Sequence, residues 1–194
     1  MDKKSQLTDG REIVIRNLHL DDLDESVGFF RALPEEDRAY LRVDVTDRDI
    51  VAQRIQAMDT GRIRRLVAEI DGTIVADGSL EVENRGWKDH IAELRLIVAR
   101  PLQSLGLGKH LARELYLLAA EMKVEQIVVK FMRPQKRAQS IFKKLGFHQD
   151  AVFEDYVKDI HGDKHDLIVM RCDLNELWEK LGNFMEDSDW VRTR

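Results

Sequence analysis

The spacing of apolar residues along the chain predicts alternating strands and helices. Leu107, Leu111, Leu115 and Leu118 recur at helical spacing, which predicts a long amphipathic helix over 107–122. Other helices are predicted over 21–33, 48–59 and 134–145, and an amphipathic one over 174–194. Short β-branched or alternating runs predict strands at 12–16, 66–70, 73–76, 90–99, 126–130, 147–157 and 166–170. Residues 35–45 give no clear prediction.

This order of elements predicts one α/β domain over residues 11–173. A polar segment over 1–10, which we expect to be loose, precedes the domain, and the helix over 174–194 follows it. Asp71-Gly72 lies between two of the predicted strands and predicts a type I′ hairpin turn. We find no Gly/Ser-rich or Pro-rich linker, and therefore expect no second folded domain.

Composition narrows the class of protein. The chain of 194 residues carries 31 Lys and Arg against 36 Asp and Glu, a net charge of −5. It therefore lacks the overall positive field of a nonspecific nucleic-acid binder, although a local basic patch stays open. We expect neither a secretory signal nor a membrane span, because no apolar run approaches the roughly 20 residues that a span needs, and hence a cytoplasmic protein.

A single cysteine, Cys172, excludes an internal disulfide and a multi-thiolate metal site. We expect it to be a buried apolar thiol. His161, Asp163 and His165 lack metal-ligand spacing and are interpreted as part of a turn, so no metal is expected.

The most informative segment is Gln103-x-x-Gly106-x-Gly108, between the strand over 90–99 and the long helix. A glycine-bearing turn before a helix presents unpaired amides and the positive end of the helix dipole, which together bind a phosphate. Lys109 and Arg113 fit such a site, although the glycines could equally tighten the turn and the cations be solvated. The spacing matches neither the dinucleotide G-x-G-x-x-G pattern nor the ATP-binding P-loop.

Four segments together resemble the GCN5-related N-acetyltransferase (GNAT) superfamily. They are Gln103-x-x-Gly106-x-Gly108 after Leu96-x-Val98, the hairpin over 66–75, Ala138-x-x-x-Phe142-x-x-x-Gly146-Phe147, and the strand over 165–170. The resemblance covers roughly residues 12–172. The opening 9–16 is also similar to bacterial protein-lysine acetyltransferase domains. The resemblance implies a mixed, V-shaped sheet of about six to seven strands with helices on both faces.

The resemblance also implies where acetyl-CoA binds. The strand backbone at Leu96, Ile97 and Val98 would bind the pantetheine arm, and Gln135, Ala138 and Phe142 would line the groove. One of Arg133, Lys136 and Lys143 would contact the nucleotide end. The turn amides would bind the pyrophosphate through Gln103, Ser104, Leu105, Gly106, Leu107, Gly108 and Lys109.

Glu93 is the candidate catalytic base by the same resemblance, with Glu69 and Asp77 as weaker alternatives and His90 as a titratable relay. Glu93 could instead pair with Arg95 as a surface charge. The family often has Asn at the position of Gln135. It often has Tyr, which protonates the departing thiolate, at the position of Phe142. Tyr116 or Tyr156 could replace that tyrosine, but packing or surface roles are favoured for both.

The resemblance thus implies an acetyl-CoA-dependent N-acetyltransferase acting on a primary amine of a small molecule or protein by direct attack in a ternary complex. The alternative is an acyl-CoA-binding sensor without turnover, which the absence of a tyrosine at Phe142 keeps open. A third hypothesis, a partner-binding module that uses the tail helix, predicts no coenzyme A binding. The expected partners are acetyl-CoA and the amine acceptor, and a homodimer stays open.

Overall fold

The computed structural model describes residues 2–82 and 86–176, which form a single eight-stranded sheet with helices on both faces. The strands are β1 Lys3–Gln6, β2 Glu12–Asn17, β3 Ile63–Ile70, β4 Thr73–Val82, β5 Ile91–Val98, β6 Gln126–Met132, β7 His148–Lys158 and β8 Lys164–Asp173. The α-helices are α1 Leu23–Ala32, α2 Glu35–Arg38, α3 Arg48–Gln56, α4 Leu107–Glu121 and α5 Lys136–Lys144.

The sheet has the order β1-β2-β3-β4-β5-β6-β8-β7 and contains one parallel pair, β5 with β6. That pair is short. Its register runs from Ile91 opposite Gln126 only as far as Glu93 opposite Val128, although both strands continue. The two strands therefore part beyond Glu93, which gives the sheet the V shape that the sequence resemblance implies.

Two apolar cores lie on opposite faces of the sheet. The first packs α4 and Phe142 of α5 against one face, where Leu107, Leu111 and Leu115 are fully buried. The second packs α1 and α3 against the other face through residues such as Phe30. The predicted mixed α/β architecture with helices on both faces is therefore confirmed. The sheet has eight strands, one more than the six to seven expected.

Turn residues sit where their sequence indicates. Asp71 and Gly72 both have positive φ, 50° and 76°, and join β3 to β4 as a type I′ turn requires. Gly146, with φ 95°, follows the end of α5. Cys172 is buried, as expected, and no helix of the described residues is long and apolar enough to cross a membrane.

Our expectation of a loose segment over 1–10 is wrong for its first half. Lys3–Gln6 forms the edge strand β1, which pairs antiparallel with β2. Contacts with α4 hold it there. Ser5 Oγ lies 3.0 Å from His110 Nδ1, and Lys3 forms an ion pair with Glu114. The predicted tail helix begins with Leu174, which is buried, but residues 177–194 lie outside the described part of the chain.

Candidate active site

Beyond Glu93, the edge of β5 that faces β6 has no strand bonded to it within the described chain. The amide of Ala99 donates to the carbonyl of Val75, so the backbone groups of Ala99 face β4. Because alternate residues of a strand point their backbone groups to opposite sides, Leu94, Leu96 and Val98 direct theirs toward β6. Leu96 therefore offers both an amide and a carbonyl on an open strand edge.

The turn after β5 presents a run of amides without acceptors. Within 2–82 and 86–176, the amides of residues 104–108 donate to no protein group, while those of Lys109 and His110 both donate to the carbonyl of Gly106. Ser104 and Gly106 have φ of 72° and 90°, and such left-handed residues help to turn successive amides toward one concave surface. Gly106 is the N-cap of α4, whose dipole adds positive charge there.

The cations around this turn differ in their engagement. Arg137 donates to Ser104 Oγ at 2.9 Å, which places a guanidinium at the turn that the sequence did not single out. Arg133 pairs with Asp166 at 2.5 Å, so its charge is already engaged. Lys109, Lys136 and Lys143 are exposed. Arg137 is therefore the cation of these that a hydrogen bond holds at the turn.

A cavity of about 490 Å³ lies between the diverging strands. Leu96 and Ile97 of β5 line it, as do Phe131 of β6 and Gln135 and Phe142 at the start and middle of α5. The other predicted cofactor residues lie on the turn or on its flanks, except Ala138, which lies on α5 and packs against the core. The structure therefore brings the open strand edge and part of the predicted groove to one cavity, and the turn follows the same strand along the chain.

Glu93 lies at the apex of the V, but three cations hold its carboxylate. It pairs with Arg42, accepts from Lys130 Nζ at 2.9 Å and from Arg95 Nε at 3.3 Å. Burial raises the pKa of Glu93, but the charge of Arg42, the hydrogen bond from Lys130 and the charge of Arg95 outweigh burial and lower the pKa below its usual range. Glu93 is not among the described residues that line the cavity, whereas its three partners are.

The weaker base candidates are ion-paired as well. Glu69 pairs with Arg16. Asp77 is buried and accepts from Arg65 Nη2 at 2.6 Å. His90 lies outside the cavity lining, with its side chain about one-third exposed. Of these three groups, Asp77 alone is among the described residues that line the cavity.

Phe142 lines the cavity, whereas the two tyrosines considered as proton donors lie away from it. Phe142 is buried and packs its ring on Phe131 and Phe147, with centroids 5.3 Å and 5.1 Å away. Tyr116 is buried in the core, and its hydroxyl has no hydrogen-bond partner among the residues that the structure describes. Tyr156 is exposed on β7, which is the opposite edge strand from β1. Neither tyrosine lines the cavity.

Gln135 has a structural role besides lining the cavity. Its side-chain carbonyl accepts from the amide of Met132 at 2.8 Å and so fixes the passage from β6 to α5. Asn at this position would be one methylene shorter than Gln. The backbone would then have to lie closer for the side chain to make the same hydrogen bond.

Sequence reasoning missed the charged layer on the cavity side of the sheet. Cross-strand partners there are Arg65 with Ser79, Ser79 with Arg95, and Glu81 with Glu93. Polar residues at alternate positions of otherwise apolar strands were the available signal, because side chains at i and i+2 share a face. Arg42, Arg54 and Lys130 come from distant segments, and the sequence contains no local sign of them.

Comparison with protein families agrees with this geometry. The model of the family described as Acetyltransferase (GNAT) family matches residues 20–147. L-amino acid N-acetyltransferase AaaT of Escherichia coli strain K12 is 27% identical over 146 residues, which cover 75% of this chain and 88% of that protein.

Solved structures share the fold. Mycobacterium smegmatis RimJ, in complex with CoA-disulfide, matches with a TM-score of 0.74 at 15% identity, over 91% of this chain and 88% of that one. The yncA protein of Salmonella typhimurium, solved with its cofactor acetyl-CoA, matches with a TM-score of 0.72 at 20% identity, over 88% and 95% of the two chains.

Proposed function

Because the chain belongs to the acetyltransferase (GNAT) family, we propose that it is an acetyl-CoA-dependent N-acetyltransferase that modifies a primary amine. One observation carries the proposal: the amides of 104–108, which have no acceptor among the described residues, follow β5 after one short turn, and the open edge of β5 borders the cavity between β5 and β6. A diphosphate on those amides places an extended chain along the edge and the group at its end inside the cavity.

The residues present suit this ligand. Five successive amides and the end of a helix dipole match a diphosphate, and the exposed guanidinium of Arg137 adds a positive charge. Acetyl-CoA supplies the acyl group as a thioester. The amide and carbonyl of Leu96 are the groups of this chain that can hydrogen-bond the arm, and a fixed backbone amide can stabilise developing charge on an acyl oxygen.

In the proposed reaction the amine nitrogen forms a bond to the acetyl carbon, the carbon–sulfur bond breaks, and coenzyme A leaves as a thiol. An amine with a pKa of about 10.4 is almost fully protonated at pH 7, so one proton must leave before attack. Glu93 is our proposed base. Its lowered pKa and three cationic partners mean that it accepts this proton weakly, through water or after one partner moves.

The presence of Phe142 is the reason for a second candidate function, an acyl-CoA sensor without turnover. Its buried ring has no proton to donate, and the carboxylates nearest the cavity are already ion-paired. A thiol with a pKa of about 8.5 leaves without a donor, which is why we rank catalysis first.

Cofactor binding is tested by calorimetry of coenzyme A with Gly106→Ala and the matched control Gly72→Ala. Both glycines have positive φ, and neither added Cβ comes closer than 3.9 Å to another residue, so both substitutions impose similar backbone strain. Only Gly106 lies at the amides of the turn. We expect affinity to fall about 10-fold or more in Gly106→Ala, comparable to one charge-assisted hydrogen bond, and to stay unchanged in Gly72→Ala. Equal affinities in the two variants contradict the binding site.

Turnover is tested by thiol release from acetyl-CoA with a panel of amino acids, polyamines and lysine peptides. We expect at least one amine to stimulate release. Glu93→Gln lowers kcat by about 100-fold or more if Glu93 is a base, and the loss should be smaller at high pH, where the free amine is abundant. Coenzyme A binding without amine-stimulated release from any acceptor favours the sensor.

A further inference from the structure

The cavity wall opposite α4 carries an excess of positive charge. Of the described residues that line the cavity, Asp77 and Glu81 are the carboxylates, whereas five are cations: Arg42, Arg54, Arg65, Arg95 and Lys130. Even with Glu93 counted, five cations face three carboxylates. A site with this excess of positive charge disfavours an acceptor that carries a second ammonium group besides its reacting amine, and it favours an acceptor that carries an anionic group.

Each of the three carboxylates is already used. Asp77 accepts from Arg65 Nη2 at 2.6 Å, Glu81 accepts from Arg95 Nη2 at 3.0 Å, and Glu93 holds Lys130 together with two arginines. None of these carboxylates is therefore left to bind a polyamine or the side chain of a basic peptide.

One cation on the same wall has no carboxylate partner among the described residues. Arg54, at the end of α3, forms no ion pair with any residue of the described ranges, and its guanidinium lies 5.6 Å from the centroid of the Phe30 ring. Burial, reinforced by the charges of Arg65 and Arg95, lowers the pKa of Arg54 to about 10, and the charges of Asp77 and Glu81 offset this shift only in part.

Arg65 adds positive charge to the same wall. Its side chain is only 5% exposed, and its Nη2 donates to Asp77. Its Nε is buried and has no hydrogen-bond partner among the described residues, so it is closed to a ligand in the cavity as well. The charge of Arg65 acts on Arg54 and strengthens the attraction of Arg54 for an anion.

We propose that the amine acceptor carries a carboxylate, and that Arg54 binds this carboxylate while the amine reaches the open edge of β5. This inference rests on the proposed N-acetyltransferase function. Phe30, Leu41 and Val45 line the same cavity and are suited to an apolar side chain of the acceptor. The acceptor class is accordingly an amino acid with an apolar side chain.

The test compares amino acids with their amides as acceptors in thiol release. L-leucine, L-methionine and L-phenylalanine are each paired with the corresponding amide, which keeps the shape and removes the carboxylate. The amine of an amide is less basic, so chemistry alone favours the amide. We expect the wild type to prefer the acids in kcat/KM. Arg54→Gln should reduce kcat/KM for the acids by about 10–100-fold and leave the amides within about 3-fold, the change expected for one charge-assisted hydrogen bond.

Arg48→Gln is the matched control. Arg48 is also on α3, but it is exposed and pairs with Asp24 on the surface, so its substitution should leave both classes unchanged. Calorimetry of the same acids and amides on the coenzyme A-loaded protein gives a second readout that needs no turnover.

The outcomes separate the two proposals. Thiol release from amides or simple amines, with no Arg54-dependent preference for acids in either assay, overturns the carboxylate site and leaves the N-acetyltransferase standing. No release with any amine, but Arg54-dependent binding of acids, overturns the proposed function and supports the anion site. Absence of both overturns both proposals.

Discussion

Gly78 sets the distance between α4 and the sheet. It lies on β4, between Leu66 of β3 and Leu96 of β5, with its missing side chain directed at α4. A Cβ at this position would lie 2.7 Å from Leu115 Cδ1 and 3.4 Å from Leu111, and both leucines are fully buried. The backbone φ at Gly78 is not positive, so the requirement is space and not conformation.

The expected cost follows from these distances. An ordinary carbon contact is about 3.5–4.0 Å, so Leu115 or the whole helix must move by about 1 Å. Overpacking of this kind costs about 1–3 kcal/mol, from which the lower chain entropy of alanine recovers about 0.5–1 kcal/mol. We therefore expect Gly78→Ala to lower the free energy of unfolding by about 0.5–2 kcal/mol. Coenzyme A affinity should fall as well, because α4 carries the phosphate-binding turn at its start.

The assay is urea unfolding of Gly78→Ala, Leu115→Ala and the double variant. Leu115→Ala alone removes a fully buried side chain and should cost about 2–5 kcal/mol. In the double variant the new methyl group enters the space that Leu115 leaves, so the two losses should not add, with a coupling of about 0.5–3 kcal/mol.

Gly28→Ala is the control with the opposite sign. Gly28 is exposed within α1, and no atom lies within 4 Å of an added Cβ. We expect this variant to gain about 0.5–1 kcal/mol. The reasoning is refuted if Gly78→Ala is as stable as the wild type, or if its loss and that of Leu115→Ala are additive.

Two further predictions concern buried polar groups. Tyr116→Phe removes a buried hydroxyl that has no hydrogen-bond partner in the described part of the chain. The variant should raise the free energy of unfolding by about 1–3 kcal/mol, seen as a higher Tm, with thiol release unchanged. A loss of turnover would instead make Tyr116 the proton donor. Burial and the charge of Arg113 lower the pKa of His110 below its usual 6.5 or so. The folded protein then binds fewer protons than the unfolded chain, so stability from this group is fully present above about pH 6.5 and declines as pH falls through the lower folded pKa. His110→Asn should flatten the fall in urea midpoint between pH 7.5 and 5.5, and an unchanged slope contradicts this assignment.

The sequence predicted best those features that depend on neighbours along the chain. Asp71-Gly72 and Gly146 were assigned correctly because positive φ at a turn is a local requirement that glycine meets. The long helix α4 was assigned correctly because four turns of apolar residues repeat at one spacing.

Features that depend on distant segments were missed. The polar residues of β1 gave no strand pattern, and the strand exists because β2 and α4 receive it, with the amide of Thr8 donating to the carbonyl of Leu105. In the same way Arg42 lies 51 positions from Glu93 along the chain, and Lys130 lies 37 positions from it. From the sequence alone, a glutamate on a strand is therefore interpreted as a free base, although the fold surrounds it with cations.

Glu93 shows how the charged layer and the shape of the sheet depend on each other. Hydrogen bonds between β5 and β6 end at Glu93 and Val128, and Lys130, two positions further along β6, reaches back to the Glu93 carboxylate. This ion pair joins the strands where their backbone bonds stop, and so sets where the cleft begins. One carboxylate among Arg42, Arg95 and Lys130 leaves positive charge unbalanced beside the open edge. A buried excess of charge is unfavourable until a counter-ion arrives, so the same arrangement that holds the apex together favours an acceptor that brings an anionic group with it.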